Sequence, residues 1–149
     1  MEGYDVGSFS LWHWIIFLVL IFFPLIFVFR PPPPGANRFG APAMPMSLGE
    51  AIASFFRNYV NFQGRAARSE YWFSFLFLFG SSVVIEVIDN SGIISLIWSL
   101  VLFLPAISVA TRRLHDINRS GWHQLLSCFA PVGLIVVIVW YCTPGRDET

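Results

Sequence analysis

The sequence predicts an all-α, multi-pass membrane protein with four transmembrane helices and one short amphipathic helix at the membrane interface. Of its 149 residues, 56% are hydrophobic and only 12% are charged, whereas a soluble domain usually has about 25% charged residues. The mean hydropathy is +0.66. A small soluble domain leaves a large share of its surface exposed and cannot hide this much apolar surface. The same hydrophobicity excludes intrinsic disorder.

Four apolar stretches have the length of a membrane-spanning helix, which is about 17–25 residues. They cover residues 11–29, 71–88, 93–110 and 125–141. Glu86, near the end of the second stretch, is the only Asp, Glu, Lys or Arg within them. Pro105 and Pro131 lie inside the last two stretches, and membrane helices tolerate such prolines. We interpret residues 1–30 as a retained N-terminal anchor, because a secretory signal would begin with basic residues and this segment begins with acidic ones.

The placement of arginine predicts the orientation of these spans. All nine basic residues are arginine and they balance nine acidic residues, so the net charge gives no reason to expect a nucleic-acid partner. Five arginines lie between the first and second spans and three between the third and fourth, whereas the connection 89–92 has none. The positive-inside rule therefore predicts that both Arg-rich segments are cytoplasmic and that both termini are outside.

The segment between the first and second spans is predicted to contain a linker and a short helix. Residues 31–46 are rich in proline and glycine and form a cytoplasmic linker. Ser47 and Glu50 then have the spacing of a capping box, and apolar residues recur at helical intervals up to Val60. A helix of about 14 residues is too short to span a membrane. Two placements remain open: in the interface, with Arg57 toward lipid phosphates, or packed against the bundle.

The candidate site is a polar cluster on the cytoplasmic side. The second and fourth spans are both entered through Arg-Ser followed shortly by Trp. Serine can cap a helix start, and helix N-termini and arginine both attract phosphate. We therefore predict binding of an anionic lipid headgroup or of a partner protein. The predicted residues are Arg65, Arg68, Ser69, Glu70, Arg112, Arg113, His115, Asp116, Arg119 and Ser120, with Trp72 and Trp122 as interfacial anchors.

A more modest interpretation of the same cluster stays open. In it, the arginines only set the topology of the spans and pair with Glu70 and Asp116. Arg112 and Arg113 also lie at the predicted C-terminus of a helix, where positive charge is favourable in any case.

The residue patterns favour a non-catalytic protein without metal or cofactor. The sequence contains no hydrolase elbow and no paired histidines with metal-ligand spacing. Adjacent residues such as His115 and Asp116 do not face each other on a helix. A small transporter or channel subunit is the alternative, although the spans carry no ionisable side chain near their middle. Gly80 and the serines of the spans permit close helix contacts, so we expect a homo-oligomer or a membrane partner protein.

Two long motifs resemble the DUF-805 family of small bacterial inner-membrane proteins. They are residues 58–72, NYVNFQGRAARSEYW, and residues 112–122, RRLHDINRSGW. The resemblance runs from about residue 48 to residue 145. It implies that residues 47–145 form a multi-pass domain in the bacterial inner membrane, followed by a tail of residues 146–149. It implies no activity.

The chain departs from the family pattern at its C-terminus. Family members usually continue past the last span with a Pro-Gly-x-Asn-Arg-aromatic-Gly tail, whereas Pro144 and Gly145 here run into Arg-Asp-Glu-Thr. A near copy of that tail, PGANRFG, stands instead at residues 34–40. The predicted topology places this copy in the cytoplasm and a tail after the last span outside.

Overall fold

The computed structural model describes residues 35–129 and 131–146. The predictions for the first span, residues 11–29, and for the anchor lie outside these residues. Within them all the regular elements are helical, which confirms the all-α class. They are α1 (Leu48–Arg57), α2 (Arg68–Ile88), α3 (Ile93–Asp116), a 3-10 helix (Gly121–Cys128) and α4 (Val132–Cys142).

The capping box predicted for the first of these helices is present. The hydroxyl of Ser47 accepts a hydrogen bond from the backbone N–H of Glu50 at 3.4 Å, and the Glu50 carboxylate accepts one from the backbone N–H of Ser47 at 2.8 Å. This backbone bond is the main reason why the pKa of Glu50 is lowered. Phe55 is fully buried, and its ring lies 6.1 Å from that of Phe77 in α2. Of the two placements left open by the sequence, α1 therefore adopts the one packed against the bundle.

Helices α2 and α3 form a long antiparallel hairpin. They contain 21 and 24 residues, which correspond to about 32 and 36 Å at 1.5 Å per residue. Both are long and apolar enough to cross a membrane, in agreement with the predicted second and third spans. The Asp89 carboxylate organises the connection by accepting hydrogen bonds from the Ser91 hydroxyl at 2.7 Å and the Ser95 backbone N–H at 2.8 Å. These bonds lower the pKa of Asp89 to about 2.

The outer faces of α2 and α3 are apolar and open. Val84, Val87, Ile93 and Leu100 are 61–76% exposed. In water, a continuous apolar surface of this kind would be an aggregation hazard. Facing lipid, it is the expected surface of a spanning helix. Trp98 lies between the two helices and donates a hydrogen bond to the Ser81 hydroxyl at 3.1 Å.

The prediction of one continuous span over residues 125–141 is wrong. The 3-10 helix ends at Cys128, and α4 begins only at Val132, directly after Pro131. Proline has no N–H to donate and its ring clashes with a preceding helical turn, so it breaks the run. Helix α4 has 11 residues, or about 16 Å, and is too short to cross a hydrocarbon core of about 30 Å.

The 3-10 helix and α4 instead pack against each other as a hairpin. A Cβ added at Gly133 would lie 1.8 Å from the backbone oxygen of Leu126, so the contact requires glycine. The ring of Trp140, near the end of α4, lies 5.6 Å from that of His123, near the start of the 3-10 helix. The chain therefore leaves the end of α3 and returns to it.

This return corrects the predicted position of the C-terminal residues. The backbone N–H of Arg146 donates to the Asp116 oxygen at 2.8 Å, and the Arg113 Nε donates to the Tyr141 oxygen at 3.0 Å. Residues 143–146 thus lie at the same end of the hairpin as the Arg-rich segments, not at the opposite end. Hydropathy measures composition along the chain, and a reversal inside an apolar run does not change it.

Candidate functional site

The predicted polar cluster forms where α2 begins and α3 ends. Because the hairpin is antiparallel, the first turn of α2 lies beside the last turn of α3. The segment before α2 is joined to α3 by a backbone hydrogen bond from Ala66 to the Arg112 oxygen at 2.9 Å. Six charged side chains come together here, and we call this group the arginine cluster. All six are buried: Arg65, Arg68, Glu70, Arg112, Arg113 and Asp116.

Asp116 is the acceptor for two of these arginines. Its carboxylate binds Arg65 Nε at 2.9 Å and also binds Arg113. Arg113 is fully buried and additionally donates to the backbone oxygens of Tyr141 and Thr143. The Arg113 side chain therefore ties the end of α3 to the end of α4.

Glu70 is the second buried acceptor and connects three helices. Its carboxylate receives Arg112 Nη1 at 2.7 Å and the hydroxyl of Ser54 from α1 at 2.8 Å. The pairing with Glu70 and Asp116 that the sequence left open as the modest interpretation is therefore present.

The arginine cluster contains more positive than negative charge. Four of its side chains are arginines with 0–8% exposure and two are carboxylates, so the six side chains together carry a formal charge of +2. Arg68 lies close enough to Arg113 for the two charges to repel each other. Nε and Nη2 of Arg112 are buried and have no hydrogen-bond partner in residues 35–129 and 131–146. An arrangement of this kind can accept an anion.

The two serines predicted as helix caps behave differently. Ser120 caps the 3-10 helix, where its hydroxyl accepts a hydrogen bond from the Trp122 backbone N–H at 3.4 Å. Ser69 is not a cap, because α2 begins one residue earlier and Ala67 is its N-cap. The Ser69 hydroxyl accepts instead from the Met46 backbone N–H at 2.8 Å. The predicted pair of serine-capped starts is therefore wrong for α2.

Arg119 and His115 lie beside the arginine cluster rather than within it. The Arg119 guanidinium sits 4.1 Å from the centre of the Trp140 ring. His115 is half-buried, with Nδ1 3.1 Å from the Gly64 oxygen and its ring stacked on that of Phe39 at 3.8 Å. Within the described part of the chain, no three His, Cys, Asp or Glu residues come together as a metal site.

The two tryptophans predicted as interfacial anchors have opposite environments. Trp122 is 79% exposed, as an anchor would be. Trp72 is 4% exposed and packs in one core with Leu114 and Tyr141. The prediction is wrong for Trp72, because the returning α4 brings Tyr141 onto a face of α2 that a simple span would show to lipid.

A further part of this end was not predicted from the sequence. Residues 35–40 dock on the last turn of α3, and Arg65 Nη1 donates to the oxygens of Gly35 and Gly40 at 3.3 Å each. The only sequence signal for this docking is the near copy of the family tail at residues 34–40.

Comparison with known proteins agrees with this membrane architecture. The family described as "Protein of unknown function (DUF805)" matches residues 59–149. The inner membrane protein YhaH of Escherichia coli K12 is 37% identical over 104 residues, which cover 62% of this chain and 86% of YhaH. The inner membrane protein YhaI of the same strain is 39% identical over 99 residues, covering 63% and 84%. No solved structure matches the chain.

Both relatives are inner membrane proteins. The region that matches the family, residues 59–149, contains α2, α3, α4 and the whole arginine cluster. The inner membrane is therefore the location supported for this chain as well. The family match extends over more than half of the sequence and includes both motifs that carry the resemblance, apart from residue 58. The chain belongs to the DUF805 family.

Proposed function

We propose that this protein is a non-catalytic inner-membrane module that binds the phosphate of an anionic lipid headgroup at the arginine cluster. One observation carries the proposal: Nε and Nη2 of Arg112 are buried and have no hydrogen-bond partner among the described residues. Leaving buried hydrogen-bond donors without an acceptor is costly. A bound phosphate would supply negative charge and acceptors for Nε and Nη2 of Arg112, because guanidinium and phosphate have matching geometry.

The position of the arginine cluster favours a lipid over a soluble anion. It lies at one end of two helices of membrane-spanning length, which is the level at which headgroups reside. By the positive-inside rule this end is cytoplasmic, and anionic lipids are enriched in that leaflet. The DUF805 description gives no activity that would favour catalysis.

A small transporter or channel subunit remains the alternative function. Transport pathways usually contain ionisable groups at membrane depth. In the described spans, residues 71–88 and 93–110, the only carboxylate is that of Glu86, which is exposed at the far end of α2. The described spans therefore carry no ionisable group at membrane depth that would favour transport over lipid binding.

Native mass spectrometry of the protein extracted in its own lipids tests the lipid proposal. We expect one stoichiometric anionic lipid on the wild-type chain, its loss in Arg112→Gln, and its retention in Arg57→Gln, which removes an exposed arginine of α1. Circular dichroism of each variant separates lost binding from lost folding. Absence of anionic lipid, or equal retention in folded Arg112→Gln, would overturn the proposal. A stoichiometric protein subunit in its place would identify a partner-binding module instead.

A further inference from the structure

Residues 35–40 form a turn that is ordered by its own hydrogen bonds. The backbone N–H of Asn37 donates to the Gly40 oxygen at 3.1 Å, and the N–H of Gly40 returns a bond to the Asn37 oxygen at 2.8 Å. The Asn37 Oδ1 accepts from the Phe39 N–H at 2.9 Å. Gly35 and Gly40 have φ values of 116° and 120°, which side chains other than glycine rarely adopt. The local sequence therefore specifies the shape of the turn.

The side chain of Asn37 forms hydrogen bonds with two distant parts of the backbone. Its Nδ2 donates to the His115 oxygen at 2.9 Å and to the Arg146 oxygen at 3.0 Å. Because Oδ1 is used within the turn, the whole amide is satisfied, and Asn37 is only 6% exposed. A carboxylate at this position would place an oxygen against two carbonyl oxygens and would be rejected.

Three further contacts hold the turn on its site. The Phe39 ring stacks on the His115 ring with an interplanar angle of 2°. Arg38 donates to the Asn118 oxygen at 3.1 Å. Arg65 donates to both ends of the turn while it is paired with Asp116. Arg38 and Phe39, the two long side chains of the turn, therefore each contact a different residue outside it.

These contacts have the character of a peptide bound to a receptor. They join residues that are 25–109 positions apart in the chain. The linker that follows the turn is exposed or half-buried at residues 41–45, and it acts as a tether. A short tether gives a local concentration in the millimolar range, which keeps such a site occupied by its own chain.

We propose that the cleft formed by Arg65, residues 115–118 and Arg146 is a peptide-recognition site for an Asn-Arg-Phe-Gly turn. The turn at residues 35–40 is its built-in occupant. The same sequence supplied on a separate peptide binds the same cleft when the built-in turn is disabled. The cleft adjoins the arginine cluster and shares Arg65 with it.

The test uses the full chain in lipid nanodiscs, with the turn disabled by Asn37→Asp and Phe39→Ala. We expect saturable binding of a labelled Pro-Gly-Ala-Asn-Arg-Phe-Gly peptide to this double variant. Binding to the wild-type chain should be at least about tenfold weaker, because the tethered turn competes. Met44→Ala, in the exposed linker, is the matched control and should behave as the wild type. A peptide with Asp in place of Asn should bind at least about tenfold more weakly than the parent peptide.

Two results would overturn the proposal. The first is a folded double variant that does not bind the peptide. The second is equal binding to wild type and double variant, because occupancy by the tethered turn would then have no effect. If the double variant does not fold, the parent peptide at saturating concentration should restore its thermal transition, and failure to restore it would also contradict the proposal.

Discussion

The two ends of the α2–α3 hairpin differ in almost every physical respect. At one end, six charged side chains are buried beneath α1, the returning α4 and the docked turn of residues 35–40. At the other end, the connection 89–92 is held by the half-buried Asp89, whose carboxylate accepts the hydrogen bonds, and is flanked by exposed apolar residues. The same two helices serve both ends, so helix length and apolarity alone do not make a site. The difference arises from what the chain folds back onto the helices.

The largest loss of stability is expected when Arg113 is replaced, because this side chain is fully buried in the arginine cluster. Arg113→Gln takes a guanidinium from Asp116 and from the backbone oxygens of Tyr141 and Thr143. Breaking a buried ion pair by removing one partner costs about 3–5 kcal/mol. Thermal unfolding in lipid should show this loss, whereas exposed Arg57→Gln should change stability by less than about 0.5 kcal/mol. Equal effects of the two variants would contradict a buried ionic core.

A second pair of variants tests the hairpin that covers the buried end. Gly133→Ala places a Cβ 1.8 Å from the Leu126 oxygen, and overpacking of this kind costs about 1–3 kcal/mol. Gly80→Ala, in α2, meets no atom within 4 Å and should stabilise the helix by about 0.5–1 kcal/mol. We expect the midpoint of thermal unfolding to fall in Gly133→Ala and to rise in Gly80→Ala. A neutral Gly133→Ala would mean that the 3-10 helix and α4 are not packed as described.

Glu70→Gln should act on lipid binding in the direction opposite to Arg112→Gln. It removes a buried negative charge while keeping an amide oxygen that can accept from Ser54 and Arg112. The excess positive charge of the arginine cluster then rises from two to three, so anionic lipid should be retained more strongly in native mass spectrometry. Weaker retention in a folded Glu70→Gln variant would contradict a headgroup site governed by charge.

The smallest effect is expected at the exposed end and depends on pH. The pKa of Asp89 falls from its ordinary value of 3.8 to about 2 in the folded protein. A depressed pKa contributes stability that is fully present above the unfolded value and is lost as pH falls through the folded value. Wild type should therefore lose a small advantage over Asp89→Asn between about pH 4 and pH 2. A difference in thermal midpoint that does not change over this range would show that Ser91 and Ser95 do not hold the carboxylate.

The sequence predicts best the features that depend on local composition. The apolar runs at residues 71–88 and 93–110 correspond to α2 and α3, and the spacing of Ser47 and Glu50 marks the start of α1. Local patterns also bring most of the arginine cluster together, because an antiparallel hairpin places its two Arg-rich ends side by side.

The sequence predicts poorly where the chain reverses or docks over a distance. The hydropathy of residues 125–141 predicts one span, because hydropathy does not detect a turn at Pro131. The position of Trp72 at the start of an apolar run predicts an interfacial anchor. No local pattern indicates that Tyr141 covers it. The contacts of Asn37 join positions 78 and 109 residues away, and no periodicity encodes such pairs.

The most direct test of this two-ended architecture is the side of the membrane from which each end is reached. In a chain freed of Cys128 and Cys142, single cysteines at positions 38, 146 and 90 would be labelled with an impermeant maleimide in oriented inner-membrane vesicles. We predict that Arg38→Cys and Arg146→Cys react from the cytoplasmic side and that Asn90→Cys reacts from the opposite side. If Arg146→Cys reacted from the same side as Asn90→Cys, the last apolar segment would cross the membrane, and the account of α4 returning to the arginine cluster would be wrong.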